Sequence, residues 1–306
     1  MPPVLLVLTG PTATGKTGLA VQLAKRLETE IVSADSRQFF REMSIGTAKP
    51  DIAELEQAPH HFINNISIHD KYDAGKFEEQ ALACLDTLFA KHPVVILCGG
   101  SGMYIDAVCV GFDPLPDTGE EHRRSLNALF ETKGIAALQE LLGKHDPEHY
   151  KMVDLQNPQR LIRALEICLA TGKPYSGFRS GKKKTRPFQI VKVGLNMHRD
   201  ALYKRIDARV DLMMEKGLLK EVSSLQTFRE LNALQTVGYR ELFGYLDGQY
   251  GLLEAIELIK QNTRRFAKRQ MTWFRKDEHI HWIDPTTTLN AVEEICQLIQ
   301  GKGSRV

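Results

Sequence analysis

Apolar positions along the chain follow two periods. Val4–Thr9 is an apolar run of strand length. A glycine-rich turn follows, after which Leu19, Ala20, Leu23 and Leu27 recur on one face. An unbroken apolar run suits a strand covered on both sides, and a recurrence near 3.6 marks a helix with one buried face. Ile31–Asp35 reads as a second short strand and Val94–Cys98 as a third, while His60–Ile68, Gln189–Leu195 and His279–Asp284 are weaker strand patterns. Strands alternating with helices predict the α/β class, a parallel sheet flanked by helices.

Between residues 113 and 187 the strand signals stop. Helical periodicity takes over, punctuated by Pro114, Pro116, Pro147, Pro158 and Pro174. One helix there is defined at both ends. Asn157 suits the N-cap, Pro158 suits the first turn, and the stripe Leu161, Leu165, Cys168, Leu169 ends near Gly172. Gln159, Arg160 and Arg163 fall off that stripe. The expected organisation is a helical insertion, 114–187, in a catalytic core made of 1–113 and 188–306. From Arg199 to about Arg275 the pattern is again mostly helical.

Chemistry enters at the first turn. Gly10-Pro11-Thr12-Ala13-Thr14-Gly15-Lys16-Thr17 fits G-x-x-x-x-G-K-[ST] between a strand and a helix, the setting that motif requires. Backbone N–H groups of such a loop cradle phosphate oxygens, Lys16 neutralises charge, and the Thr17 hydroxyl is placed to ligate Mg2+. The fold expected is therefore P-loop NTPase-like. A hydrolytic P-loop enzyme carries a magnesium-binding Asp at a neighbouring strand end, whereas Val94–Cys98 runs into Gly99-Gly100-Ser101. Phosphate binding is legible and nucleotide hydrolysis is not. The carboxylate at a strand end beside the loop is Asp35, a candidate general base or outer partner of magnesium, with a turn cap beside Ser36 as the structural alternative.

Composition narrows the partners. Lys and Arg (40) nearly balance Asp and Glu (38), so nucleic-acid binding has to come from local patches. Lys260–Lys276 is such a patch, with seven basic residues, no acid, and Phe266 and Trp273 spaced to pack inward. With Arg160, Arg163, Arg179 and Lys182–Lys184 it points to a polyanion larger than a nucleotide. Cys84, Cys98, Cys109, Cys168 and Cys296 are scattered without a C-x-x-C pair and read as reduced structural thiols. The opening residues carry no leader pattern, and no run of about 18 apolar residues occurs, so a cytoplasmic protein without a membrane partner is expected.

The chain resembles the bacterial tRNA dimethylallyltransferases, also called tRNA isopentenyltransferases, over essentially its whole length. The resemblance rests on Gly10–Thr17, Asp35-Ser36-x-Gln38, Ile45-Gly46-Thr47-Ala48-Lys49-Pro50, Gly99-Gly100-Ser101-Gly102-Met103-Tyr104 and Asn157-Pro158-Gln159-Arg160. It continues through Arg205-Ile206-Asp207-x-Arg209-Val210-Asp211, Gly238-Tyr239-Arg240 and Lys268-Arg269-Gln270-x-Thr272-Trp273. It implies transfer of a dimethylallyl group from dimethylallyl diphosphate to N6 of adenine 37 in tRNAs reading codons that begin with U, with Mg2+ as cofactor. It also implies catalytic Asp35, Lys16 and Thr17, with the phosphate loop Gly10, Pro11, Thr12, Ala13, Thr14, Gly15, Lys16 and Thr17 on the diphosphate. The tRNA anticodon stem-loop is implied to meet Asp35, Ser36, Arg37, Gln38, Ser101, Arg123, Gln159, Arg160, Leu161, Ile162 and Arg163. The insertion corresponds to a mobile domain that closes on that loop. Arg209 and Arg240 are candidates for the leaving diphosphate. Ser101 departs from the family's usual Thr but keeps a hydroxyl. No obligate protein partner is apparent, and a monomer is expected. A P-loop small-molecule kinase and a nucleotide-responsive RNA-binding protein are the competing classes.

Overall fold

Six parallel strands form one sheet in the order β3-β2-β4-β1-β5-β6 among the described residues, 2–181, 183–288 and 290–303, of the computed structural model. They are β1 (Val4–Thr9), β2 (Ile31–Ser33), β3 (His60–His61), β4 (Val94–Cys98), β5 (Gln189–Leu195) and β6 (Ile280–Ile283). Lys182, counted in the basic run, lies outside the described residues. Helices α1 (Lys16–Leu27), α2 (Ile52–Gln57), α3 (Ala74–Phe89) and α4 (Gly102–Cys109) come first. Helices α5 (Glu121–His145), α6 (Pro147–Met152) and α7 (Pro158–Thr171) follow. The chain closes with α8 (Arg199–Glu215), α9 (Leu218–Ser224), α10 (Tyr239–Leu246), α11 (Leu252–Phe274) and α12 (Ala291–Gly303). No described helix is long and apolar enough to cross a membrane.

The contacts divide the chain into two units, one of Met1–Val110 with Thr185–Val306 and the other Gly111–Lys184. In the first, successive residues of central β1 point to opposite faces, so each face receives its own core. Leu6, Leu8 and Ile96 pack with Ala20, Leu23, Ile295 and Ile299 on one side. Leu5, Val7 and Val95 pack with Phe77, Leu85, Ile105 and Val108 on the other. A further core joins α9, α10 and α11 to Phe40, Met43 and Ile68. All strands run the same way, so the turns after β1, β2 and β4 meet at one edge of the sheet, where ligands of such sheets bind.

Two strand expectations need correction. His60–Ile68 pairs only at His60 and His61, because Phe62 and Asn64 take left-handed φ of 62 and 56 and break the ladder. Ile66 rejoins it through a single parallel bridge to Phe40. Likewise β2 stops at Ser33, leaving Asp35 in the turn beyond.

The second unit is helical among its described residues. Leu126, Leu138, Leu142, Leu161, Ile162 and Leu165 form its core. Helix α5 breaks at Gly134, whose φ of 72 no helix accommodates. The Asn157 side chain accepts from Arg160 N–H, Pro158 opens α7, and Gly172 closes it in a left-handed turn.

Candidate active site

The phosphate loop is a strained turn held from behind. Gly10 has φ 138, and a Cβ there would stand 2.4 Å from the Leu195 carbonyl oxygen of β5, so only glycine fits. Ala13 is also left-handed (φ 65) and is buried against Met197, Leu202, Ile206 and Ala267. Thr14 donates its hydroxyl hydrogen to the Pro11 carbonyl within the loop. The half-buried Lys16 ammonium donates to the carbonyls of Gly10 (3.0 Å) and Pro11 (2.7 Å). Desolvation lowers its pKa to about 8 against the pull of Cys98 and Asp35, and Arg209 adds to the fall.

Asp35 faces the same space. Lys16, Thr17, Asp35, Gln38, Cys98 and Ile63 are among the residues lining a pocket of about 380 Å³, counting its part open to solvent. Burial raises the Asp35 pKa, opposed by the Arg37 backbone N–H (3.0 Å to Oδ1) and the charges of Lys16, Arg37 and Arg209. The Cys98 thiol is pushed up to about 12 by burial, so it remains a neutral wall of the pocket.

Helix α8 delivers positive charge to the loop. Arg209 donates to the Thr12 hydroxyl at 3.1 Å. One turn earlier, the Arg205 guanidinium comes within 3.4 Å of where a Cβ on Gly15 would lie. The sequence motif contains both arginines but gives a role only to Arg209, although their i,i+4 spacing puts both on one helix face. Arg240 is exposed on α10, and its charge is felt at Arg37 in the turn after β2.

Gln270, named in a motif without a role, has one here. This buried side chain of α11 accepts from Thr12 N–H (2.9 Å) and donates to the Gly100 carbonyl (2.8 Å), tying the phosphate loop to the turn after β4. The turns after β2 and β4 are joined in turn by Ser101, whose hydroxyl accepts from Ser36 N–H at 3.0 Å and donates to the Ser36 hydroxyl at 3.1 Å. Arg37 donates to the carbonyls of Asn232 and Ala233.

In the helical unit, Gln159 and Arg160 are exposed on α7. Leu161 and Ile162 are fully buried in that unit's core, so their side chains offer nothing to a ligand. Arg123 and Arg163 both reach the buried Glu166 carboxylate, at 2.6 and 3.5 Å.

The basic helix also departs from expectation. Phe266 and Trp273 do not pack inward: they are 39% and 41% exposed, and Ala267, Gln270, Met271 and Phe274 take the buried face. Trp273 instead donates its indole N–H to Asp106 at 2.9 Å. Lys260 pairs with Asp211 and Arg264 with Asp207, while Lys268, Arg269, Arg275 and Lys276 are exposed.

Comparison with known proteins brings these features together. The family described as IPP transferase matches residues 38–277. A tRNA dimethylallyltransferase of Christiangramia forsetii is 54% identical over 280 residues, covering 92% of this chain and 93% of its own. That of Cytophaga hutchinsonii is 49% identical over 298 residues, 97% of each chain. The crystal structure of the full-length tRNA isopentenylpyrophosphate transferase of Bacillus halodurans superposes with a TM-score of 0.73 at 38% identity, covering 99% of this chain and 97% of that one.

Proposed function

The chain belongs to the IPP transferase family, and on that premise we propose that its pocket transfers a dimethylallyl group from dimethylallyl diphosphate to tRNA. The acceptor is N6 of adenine 37 in tRNAs reading codons that begin with U, and diphosphate is released. The carrying observation is the convergence of Lys16, Arg205 and Arg209 on a phosphate loop that shares its pocket with the half-buried Asp35. Such a cluster suits a leaving group that gains negative charge, and no water has to be aimed at a terminal phosphate.

The acceptor adenine has to leave its stack to reach the pocket, as single-stranded loop bases can. N6 attacks C1 of the allyl group, the C1–O bond breaks, and the electron pair departs with diphosphate onto loop N–H groups, Lys16 and the α8 arginines. Asp35 takes the N6 proton, which grows acidic as the C–N bond forms. The Thr17 hydroxyl and the Asp35 carboxylate are hard oxygen donors in one pocket, which suits Mg2+ and its preference for few protein ligands. When bound, the ion supplies further charge neutralisation to the diphosphate. Exposed Gln159 and Arg160 of the helical unit, and Lys268 and Arg269 of α11, supply contacts to tRNA.

Incubation of the protein with dimethylallyl diphosphate and unmodified tRNA, followed by mass analysis of nucleosides, tests the assignment. A prenylated adenosine at position 37 is the expected product. Phosphoryl transfer from ATP to a small acceptor, or tRNA binding without a covalent product, overturns it.

The pocket electrostatics set a pH profile. Asp35 works as a base only when ionised, so kcat/KM rises with pH along a limb displaced above the ordinary carboxylate range. Lys16 works only when charged, so kcat/KM for the donor falls again as pH passes about 8. Bound diphosphate stabilises the ammonium, so the alkaline limb of kcat moves upward. A kcat/KM that stays level through pH 8 counts against Lys16 as the titrating group.

A further inference from the structure

Glu221, on α9, lies in none of the motifs noted above. Its carboxylate accepts three consecutive backbone N–H groups, Ser44 (3.0 Å) and Ile45 (2.8 Å) on Oε2 and Gly46 (3.0 Å) on Oε1. The Tyr239 hydroxyl donates to Oε1 at 2.6 Å. Successive N–H groups turned inward make an anion cradle, and here a carboxylate of the same chain fills it. Gly46 lies under the Tyr239 ring, where a Cβ would stand 2.5 Å from Cε2.

The other side of this loop faces the pocket. The carbonyls of Thr47 and Ala48 accept from Gln38 Nε2 at 3.3 and 3.2 Å, and Gln38 Oε1 accepts from the Ser33 hydroxyl at 3.4 Å. Gln38 and Pro50 line the pocket beside Asp35. The Ile45–Pro50 and Gly238–Arg240 elements are thus one physical assembly joined through Glu221.

We propose that Glu221 is a positioning residue for the transfer step: by fixing residues 44–50 it orients Gln38, and Gln38 holds the acceptor base against Asp35. The inference rests on the reading of the pocket given above. Glu221 touches no substrate, so its effect has to pass through Gln38.

Glu221→Gln keeps the size but replaces one acceptor oxygen by an N–H2 that cannot receive a backbone N–H. The expected result is a loss of about tenfold or more in kcat/KM for tRNA. Affinity for dimethylallyl diphosphate should be unchanged, and amide exchange at 44–46 faster than in the wild type. Because the effect runs through Gln38, the double variant with Gln38→Ala should be no slower than Gln38→Ala alone. Tyr239→Phe removes one donor from the same carboxylate and should show the same pattern more weakly, which keeps the test open if Glu221→Gln folds poorly. Additive losses in the double variant overturn the proposal. Equal losses for donor and tRNA that track a fall in Tm also overturn it and leave a purely structural tie. A wild-type protein that transfers no prenyl group overturns the pocket reading itself, and slow exchange at 44–46 in that protein shows the tie to be independent of it.

Discussion

Replacing Lys16 with alanine is expected to lower kcat/KM for the prenyl donor by about 10² or more. The loop N–H groups and the α8 arginines remain in this variant, but the ammonium that the loop itself carries is gone. Lys16 is tethered to the Gly10 and Pro11 carbonyls, so it is held at the loop before any ligand arrives. Burial has already lowered its pKa to about 8, which means its charge is poorly solvated and gains most from a diphosphate partner. Those bonds are internal to the loop, so the loss of Lys16 should leave the melting temperature nearly unchanged. Steady-state kinetics with the donor varied at saturating tRNA, together with Tm, checks this. Near wild-type turnover in Lys16→Ala removes the loop from the mechanism.

What could be read from the sequence is what neighbouring residues determine. Gly10–Thr17 carries its own chemistry in eight consecutive residues, and α7 announces both ends through Asn157-Pro158 and Gly172. Strands β1 and β4 are apolar throughout because helices cover both faces of the sheet. The contacts that complete the site are of another kind. Gln270 reaches Thr12 across 258 positions, and Glu221 reaches Gly46 across 175. Neither pairing leaves a periodicity to detect. The inward reading of Phe266 and Trp273 failed for a related reason: heptad spacing shows that two residues share a face, but not that another element covers it. Ala267, Gln270 and Phe274 occupy the covered face. Leu161 and Ile162 belong to the segment that the resemblance places against tRNA, and the sequence stripe already puts the Leu161 side chain in the core, where both side chains are buried.

The mechanism depends most on Asp35, and Asp35→Asn is expected to lower kcat by about 10²–10⁴, the usual contribution of a general base. Asparagine suits the test because of what it preserves. Its Oδ1 can still accept the Arg37 N–H, so the turn after β2 stays capped, and its size leaves the pocket wall intact. What it loses is the capacity to take a proton. In the wild type that capacity is enhanced, since burial raises the Asp35 pKa and the charges of Lys16, Arg37 and Arg209 only partly offset the rise. If Asp35 acts only on the N6 proton, donor affinity survives, because the loop, Lys16 and Arg209 are untouched. If Asp35 chiefly helps hold Mg2+ near Thr17, donor affinity falls together with turnover, and added magnesium partly restores both. Measuring kcat, KM for tRNA and donor affinity across a magnesium series separates the two roles. Full activity in Asp35→Asn refutes both and leaves Asp35 as the cap of its turn.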